Sequence, residues 1–204
     1  MNWKIHRGDA RYNLHLADGM KTMITDPIWP NCQRVFDCDD PYKLLSETID
    51  ALPKSVERIV IVLGCDSDPR FLTAVPDRFP YLKNCFLEFC QPTYKGRNLY
   101  THLSAYVFGT WPKPRPGHNI IPSKVISTEV SKRLEWHPTP MRLKHCKWLV
   151  NWFGEGGVID PFSGSGTIGV ACKELLVPFI GFEINEEYCR KANERIDATD
   201  QPWC

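Results

Sequence analysis

The chain has 204 residues, 43% of them hydrophobic, with 25 basic and 24 acidic side chains for a formal charge of +1. This is the size and balance of one ordinary folded domain, and it excludes disordered and collagenous classes. No apolar run reaches the roughly 18–20 residues of a membrane helix, and Met1 to Arg7 carries no apolar stretch of signal-peptide type, so a cytoplasmic protein is expected.

In chain order, Trp3 to Arg7 reads as a short strand ending at Gly8-Asp9, and Ala10 to Leu16 as a brief helix. Thr22 to Thr25 is a buried-type strand stopped by Asp26-Pro27. Asp40-Pro41 opens a helix through Leu44, Leu45, Ile49 and Leu52, with proline suited to the first turn. Arg58 to Gly64 is β-branched without alternation, the pattern of a strand buried on both faces. A short helix over 69–79 is followed by strands near Cys85–Phe89 and Leu103–Phe108. The Pro-rich stretch from Trp111 to Trp136 reads as a long surface loop. The remainder alternates: helix 141–153, strand 157–160, helix 167–176, strand 179–183, helix 185–196. Strands alternating with helices predict a doubly wound α/β sheet of about seven strands.

Charge is distributed unevenly. Between Thr93 and Trp148 there are ten Lys or Arg against Glu129 and Glu135, a net of +8 that leaves −7 elsewhere. A basic block of this kind is an electrostatic footprint for a polyanion, although charge runs also occur as plain solvated faces. The nine cysteines include no C-x-x-C pair and the histidines are scattered. Reduced, mostly buried thiols and no metal are therefore expected. Trp148 and Trp152, at i,i+4 spacing, read as core packing.

Two local patterns carry chemistry. Val158-Ile159-Asp160 runs into Pro161-Phe162-Ser163-Gly164-Ser165-Gly166-Thr167, and Glu183 ends the next strand. A glycine turn between strand and helix lets backbone approach a ligand, and an acid about 20 residues on can accept both ribose hydroxyls. An ordinary tight turn with a surface glutamate has the same outline. The second pattern is Asp26-Pro27-Ile28-Trp29 at a strand end. Taken alone it is a common turn.

Together these strings resemble the DNA amino-methyltransferases. Asp160 to Thr167, continuing to Phe179-Ile180-Gly181-Phe182-Glu183-Ile184, is similar to that family's S-adenosylmethionine motif. The resemblance assigns Asp160, Phe162, Gly164, Ser165, Gly166, Thr167, Glu183 and Ile184 to the cofactor. Asp26 to Trp29 resembles the catalytic tetrapeptide Asp-Pro-Pro-aromatic, with Ile28 departing from the second proline. In that reading the Asp26 carboxylate and Pro27 carbonyl accept from the exocyclic amine and localise its lone pair, while Trp29 stacks on the extruded base. Gly8-Asp9 resembles the pocket for the cofactor's adenine. His137-Pro138-Thr139 resembles the stretch bordering its methionine end, though Met141 and Arg142 depart from the family pattern. Tyr94 to Phe108 is also similar.

The order of motifs, catalytic then basic then glycine loop, marks the circularly permuted β class. The resemblance implies one methyltransferase domain over 1–204, with a catalytic half (1–92), a basic hairpin and Pro-rich loop (93–136) and a cofactor half (137–204). It implies direct methyl transfer to adenine N6 in flipped DNA. Lys95, Arg97, Lys113, Arg115, Lys124, Lys132 and Arg133 are expected to grip phosphates. An aspartate at the first catalytic position leans to adenine over cytosine. Cytosine N4, an RNA substrate, and a non-catalytic nucleic-acid-binding protein are the alternatives. Small size leaves a short target site, a homodimer or low specificity open. The expected setting is a bacterial or phage-infected cytoplasm, in the company of restriction–modification enzymes.

Overall fold

The computed structural model describes residues 3–117, 119–129 and 134–200. It contains one eight-stranded sheet: β1 (Trp3–Arg7), β2 (Thr22–Thr25), β3 (Arg58–Gly64), β4 (Tyr81–Lys95), β5 (Asn98–Gly109), β6 (Lys124–Ser127), β7 (Val158–Asp160) and β8 (Phe179–Glu183). Their spatial order is β1-β8-β7-β2-β3-β5-β4-β6. The strands β1, β8, β7, β2 and β3 are mutually parallel, and β5 runs against both of its neighbours. The first and last strands of the chain are therefore side by side, the signature of a permuted sheet. Successive strands move outward from either side of the β7/β2 boundary, so this is the topological switch point where doubly wound sheets bind ligands.

Local chemistry sets the helices. α1 (Ala10–Asn13) is capped by Asp9, which accepts from Arg11 N. α2 (Pro41–Asp50) begins at Asp40, whose side chain accepts from Lys43 N at 2.9 Å, and buries Leu45, Thr48 and Ile49 on one stripe. α3 (Leu143–Phe153), α4 (Thr167–Glu174) and α5 (Glu186–Asp197) complete the set. In α5, Asn185 accepts from Tyr188 N, acids fill the first turn and Arg195 the last, which suits the helix dipole. Residues of α3, α4 and α5 pack on one face of the sheet; α1 and α2 cover the other. Every residue of β3 is buried, as its unbroken apolar run predicted. Truncating fully buried Phe153 to Ala should cost about 3–5 kcal/mol.

The structure departs from the sequence reading in three places. Lys124–Ser127, read as loop, pairs in parallel with Phe86–Phe89 and adds an eighth strand. Its four residues carry too little pattern to register as a strand. The strands read as 85–89 and 103–108 extend into one long hairpin, its register shifted between Glu88 and Thr93, whose turn is Gly96-Arg97, with Lys95 opposite Asn98. Residues 90–94 and 96–99 are exposed, so backbone pairing holds the outer end of the hairpin, while Phe89 and Tyr100 pack against the core at its base. The helix read over 69–79 reduces to a tight 3₁₀ segment at Pro69–Ala74.

At the amino edge, buried Arg58 staples three elements. Its Nε donates to Thr110 O at 2.7 Å, and Nη1 donates to Phe153 O and Thr22 Oγ1. Among the described residues no helix is long and apolar enough to cross a membrane.

Candidate functional site

An acid lies within two residues of the carboxyl end of each of the five parallel strands: Asp9, Asp26, Asp66, Asp160 and Glu183. Parallel pairing puts all five on one edge. Asp26 and Asp160 flank the switch point. Thr25, the last residue of β2, donates its hydroxyl to Asp160 Oδ1 at 2.7 Å, and Phe162 N donates to the same oxygen at 3.2 Å. Asp26 Oδ1 is sealed from solvent and has no hydrogen-bond partner among the described residues. Burial, with the charge of Asp160 nearby, pushes the Asp26 carboxyl up to about 8. Burial likewise raises Asp160 to about 7 against the bonds from Thr25 and Phe162. A buried acceptor left unpaired is costly, and such groups concentrate where a ligand completes them.

The rest of the tetrapeptide is held in place. Pro27 is buried, Ile28 half-buried, and the Trp29 indole N–H donates to Val62 O at 3.1 Å. Gly64, at the end of β3, forms the floor beside it. A methyl group there would lie 2.9 Å from Trp29 Cζ3, 2.8 Å from Tyr100 Oη and 2.9 Å from Asp66 Oδ1.

On the other side of the switch point the glycine loop folds around Glu183. Gly164 N donates to Glu183 Oε2 and Asn185 N to Oε1, both at 2.8 Å. Burial raises the Glu183 carboxyl, opposed by these backbone donors. Gly164 (φ 47°) and Gly166 (φ 74°) occupy the left-handed region that favours glycine. A side chain at Gly164 would meet His137 Nε2 at 2.7 Å. His137 is buried, its Nδ1 has no hydrogen-bond partner among the described residues, and its ring meets Tyr188 edge-on at 4.9 Å. Burial, then the Arg195 charge, lowers its pKa to about 4, so it is neutral.

Other expected residues fall differently. The Ser165 and Thr167 hydroxyls pair at 2.9 Å inside the protein, and Arg195 Nη1 donates to Ser165 O. These groups brace the loop from behind. Asp9 reaches the correct edge, but its carboxylate is held by Arg11 through Nε and Nη2. Pro138 and Thr139 are exposed, as is Ile184 at 70%.

The basic residues divide. Arg97 sits in the hairpin turn beyond the carboxyl edge, and Lys95 is the last residue of β4 there. Lys113 and Arg115 lie at the opposite, amino edge: β5 delivers the chain there at Gly109, opposite Arg58, and Lys113 N donates to Glu155 just before β7. Arg115 donates to Asn151 O. Lys124 pairs with Glu88 at 3.3 Å on the sheet's outer strands. Lys132 and Arg133 lie outside the described residues. Gly64, Asp66, Tyr188 and Arg195 are not expected here from the sequence, and Tyr100 is expected, with Tyr94, only as a residue of the basic window that either touches DNA or has no special role. Only Asp66 had a signal, as an acid just past a buried strand.

Comparison with known proteins agrees with this geometry. Residues 87–194, more than half of the chain, match a family model described as DNA methylase, of the N6/N4 type. Over 41 residues the chain is 58% identical to the Type II methyltransferase M.SmaI of Serratia marcescens and, again over 41, 51% identical to M.HpaI of Haemophilus parainfluenzae. Each match takes in 20% of this chain and only 14% and 13% of those relatives' lengths. The M1.HpyAVI–SAM complex superposes with a TM-score of 0.68 at 21% identity, covering 95% of this chain and 98% of that one. The cytosine-N4-specific PvuII DNA methyltransferase gives 0.66 at 16%, covering 94% and 85%. At these identities the two structures establish a shared fold.

Proposed function

The chain belongs to the DNA methylase family of the N6/N4 type, and on that premise we propose that it methylates an exocyclic amine in DNA, adenine N6, using S-adenosyl-L-methionine. The observation that carries this reading is Asp26: a half-buried carboxyl at the switch point whose Oδ1 is sealed and has no partner among the described residues. An amino group brought to it supplies the missing donor.

The residues present fit the cofactor. The Gly164 cradle has no room for a side chain against His137, and Glu183 is fixed at both oxygens by backbone N–H groups, each oxygen retaining acceptor capacity for a ribose hydroxyl. Asp160, Phe162, Gly164 and Glu183 would hold it, with His137 and exposed Ile184 at its borders. When bound, S-adenosyl-L-methionine supplies an electrophilic methyl group on a positively charged sulfur, a good leaving group. The acidic edge suits that charge.

The chain's own part is alignment. Asp26 and the Pro27 carbonyl accept the two amine hydrogens, which localises the nitrogen lone pair and aims it. Asp26 must be ionised to accept in this way, and amine donors pull its raised pKa down on binding. Trp29, pinned through its N–H, offers a ring face to an extruded base. Five acids along this edge repel phosphate, so the grip on DNA belongs to cations projecting past it, Arg97 among them.

Adenine is favoured by aspartate at the first tetrapeptide position. Cytosine N4 is the second reading, favoured by the fold shared with the cytosine-N4-specific PvuII enzyme. The test is transfer of labelled methyl from S-adenosyl-L-methionine to unmethylated DNA, followed by nucleoside analysis. Label in N6-methyladenosine is expected; label in N4-methylcytosine selects the second reading, and no label on DNA overturns both.

A further inference from the structure

Tyr100 reaches the side of Trp29 from an element that the tetrapeptide and glycine loop do not include. It belongs to β5, where the hairpin passes beyond the end of β3: Leu103 is the last β5 residue opposite β3, paired with Gly64. From there the side chain reaches back over Gly64. Its hydroxyl lies 2.8 Å from the point where a Gly64 methyl would sit, and Trp29 Cζ3 and Asp66 Oδ1 each lie 2.9 Å from that point. Three side chains, Trp29 and Asp66 from the ends of β2 and β3 and Tyr100 from β5, thus close around a glycine that has no room for a methyl group, and Trp29 ties this cluster to the tetrapeptide.

The ring is also held. Phe89 stacks on it at 5.7 Å with an interplanar angle of 25°. The Arg142 guanidinium lies over Phe89 at 4.0 Å, and His145 packs against it at 5.8 Å. Tyr100 is therefore set by the hairpin and by α3 together, as a preorganised recognition group requires. Burial and the charges of Asp26 and Asp66 raise its pKa, so the hydroxyl keeps its proton and remains a donor.

We propose that Tyr100 is a base-reading residue, its hydroxyl donating to the unprotonated ring nitrogen adjacent to the target amino group. This rests on the methyltransferase reading above and deepens it. Adenine N1 and cytosine N3 both present such an acceptor next to the amine. With Asp26 and Pro27 accepting from the amine, a donor one atom away completes an edge pattern that other hydrogen-bonding arrangements fail to match. A donor to this nitrogen draws the amine lone pair into the ring, against the demand of the chemistry. The contribution therefore lies in holding the base, and its loss raises KM while leaving kcat nearly unchanged.

The test uses the full chain and a duplex in which the methylated adenine is replaced by 1-deazaadenine, or the methylated cytosine by 3-deazacytosine if label appears there. Wild type should show KM raised about tenfold on the deaza duplex. Tyr100→Phe should raise KM about tenfold on the natural duplex, keep cofactor affinity, and show no further penalty on the deaza duplex. An equal deaza penalty in both proteins, or a Tyr100→Phe defect confined to kcat or cofactor binding, overturns the assignment. No methyl transfer by wild type overturns the underlying reading and this inference with it.

Discussion

The Thr25 hydroxyl donates to Asp160 Oδ1 across 2.7 Å, joining the strand that carries the tetrapeptide to the strand that opens the glycine loop. Substituting Thr25→Val keeps the shape and removes the donor. Stability should fall by about 1–3 kcal/mol because the acceptor is buried. The loss should be larger at pH 8 than at pH 6, since the bond favours the ionised form of Asp160. Urea unfolding at the two pH values checks this.

Asp26 and Asp160 make stability fall as pH rises. Their folded pKa values, about 8 and about 7, lie above the ordinary carboxylate value near 3.9. The native state therefore binds more protons than the unfolded chain between about pH 4 and pH 8, and stability decreases across that window. Asp26→Asn removes one of the two groups. It should melt above wild type at pH 8 and close to it near pH 4, as thermal unfolding would show.

Activity should run the other way. Because Asp26 accepts from the amine as a carboxylate, kcat/KM should climb as pH rises through about 8 and level off above it. A profile that falls through this range would remove Asp26 from its assigned role.

Gly164→Ala places a methyl group 2.7 Å from His137 Nε2 at a φ of 47°. Cofactor affinity should drop about tenfold or more, since strain of about 1–2 kcal/mol adds to the clash. The double variant with His137→Ala should recover part of it. Titration calorimetry with S-adenosyl-L-methionine measures both.

Position relative to the edge should sort the basic residues. Arg97→Ala should weaken DNA binding and lower the slope of log affinity against log salt by about one. Lys113→Ala and Arg115→Ala, at the amino edge, should leave both unchanged. Fluorescence anisotropy over a salt series separates the two groups.

Much of this arrangement was legible in the residues. The unbroken run of β3 and the strand-then-acid pattern at Asp26, Asp160 and Glu183 locate the buried strands and their functional ends, because burial on both faces leaves a strong local pattern. The rest depends on pairing and direction. Nothing local distinguishes Lys113 from Arg97, yet an antiparallel strand sends them to opposite edges. Asp9 looked available because its partner Arg11 is an ordinary surface residue until α1 turns it back. Tyr100 lies in a polar hairpin whose end is held by backbone bonds, so only the fold reveals that its hydroxyl comes to Gly64 beside Trp29 and Asp66.

The most direct measurement pairs methyl transfer with cofactor binding in wild type and Asp26→Ala. Wild type should label adenine in DNA, Asp26→Ala should lose transfer by at least about a thousandfold, and both should bind S-adenosyl-L-methionine equally. An Asp26→Ala protein that turns over near the wild-type rate would contradict the role given to Asp26.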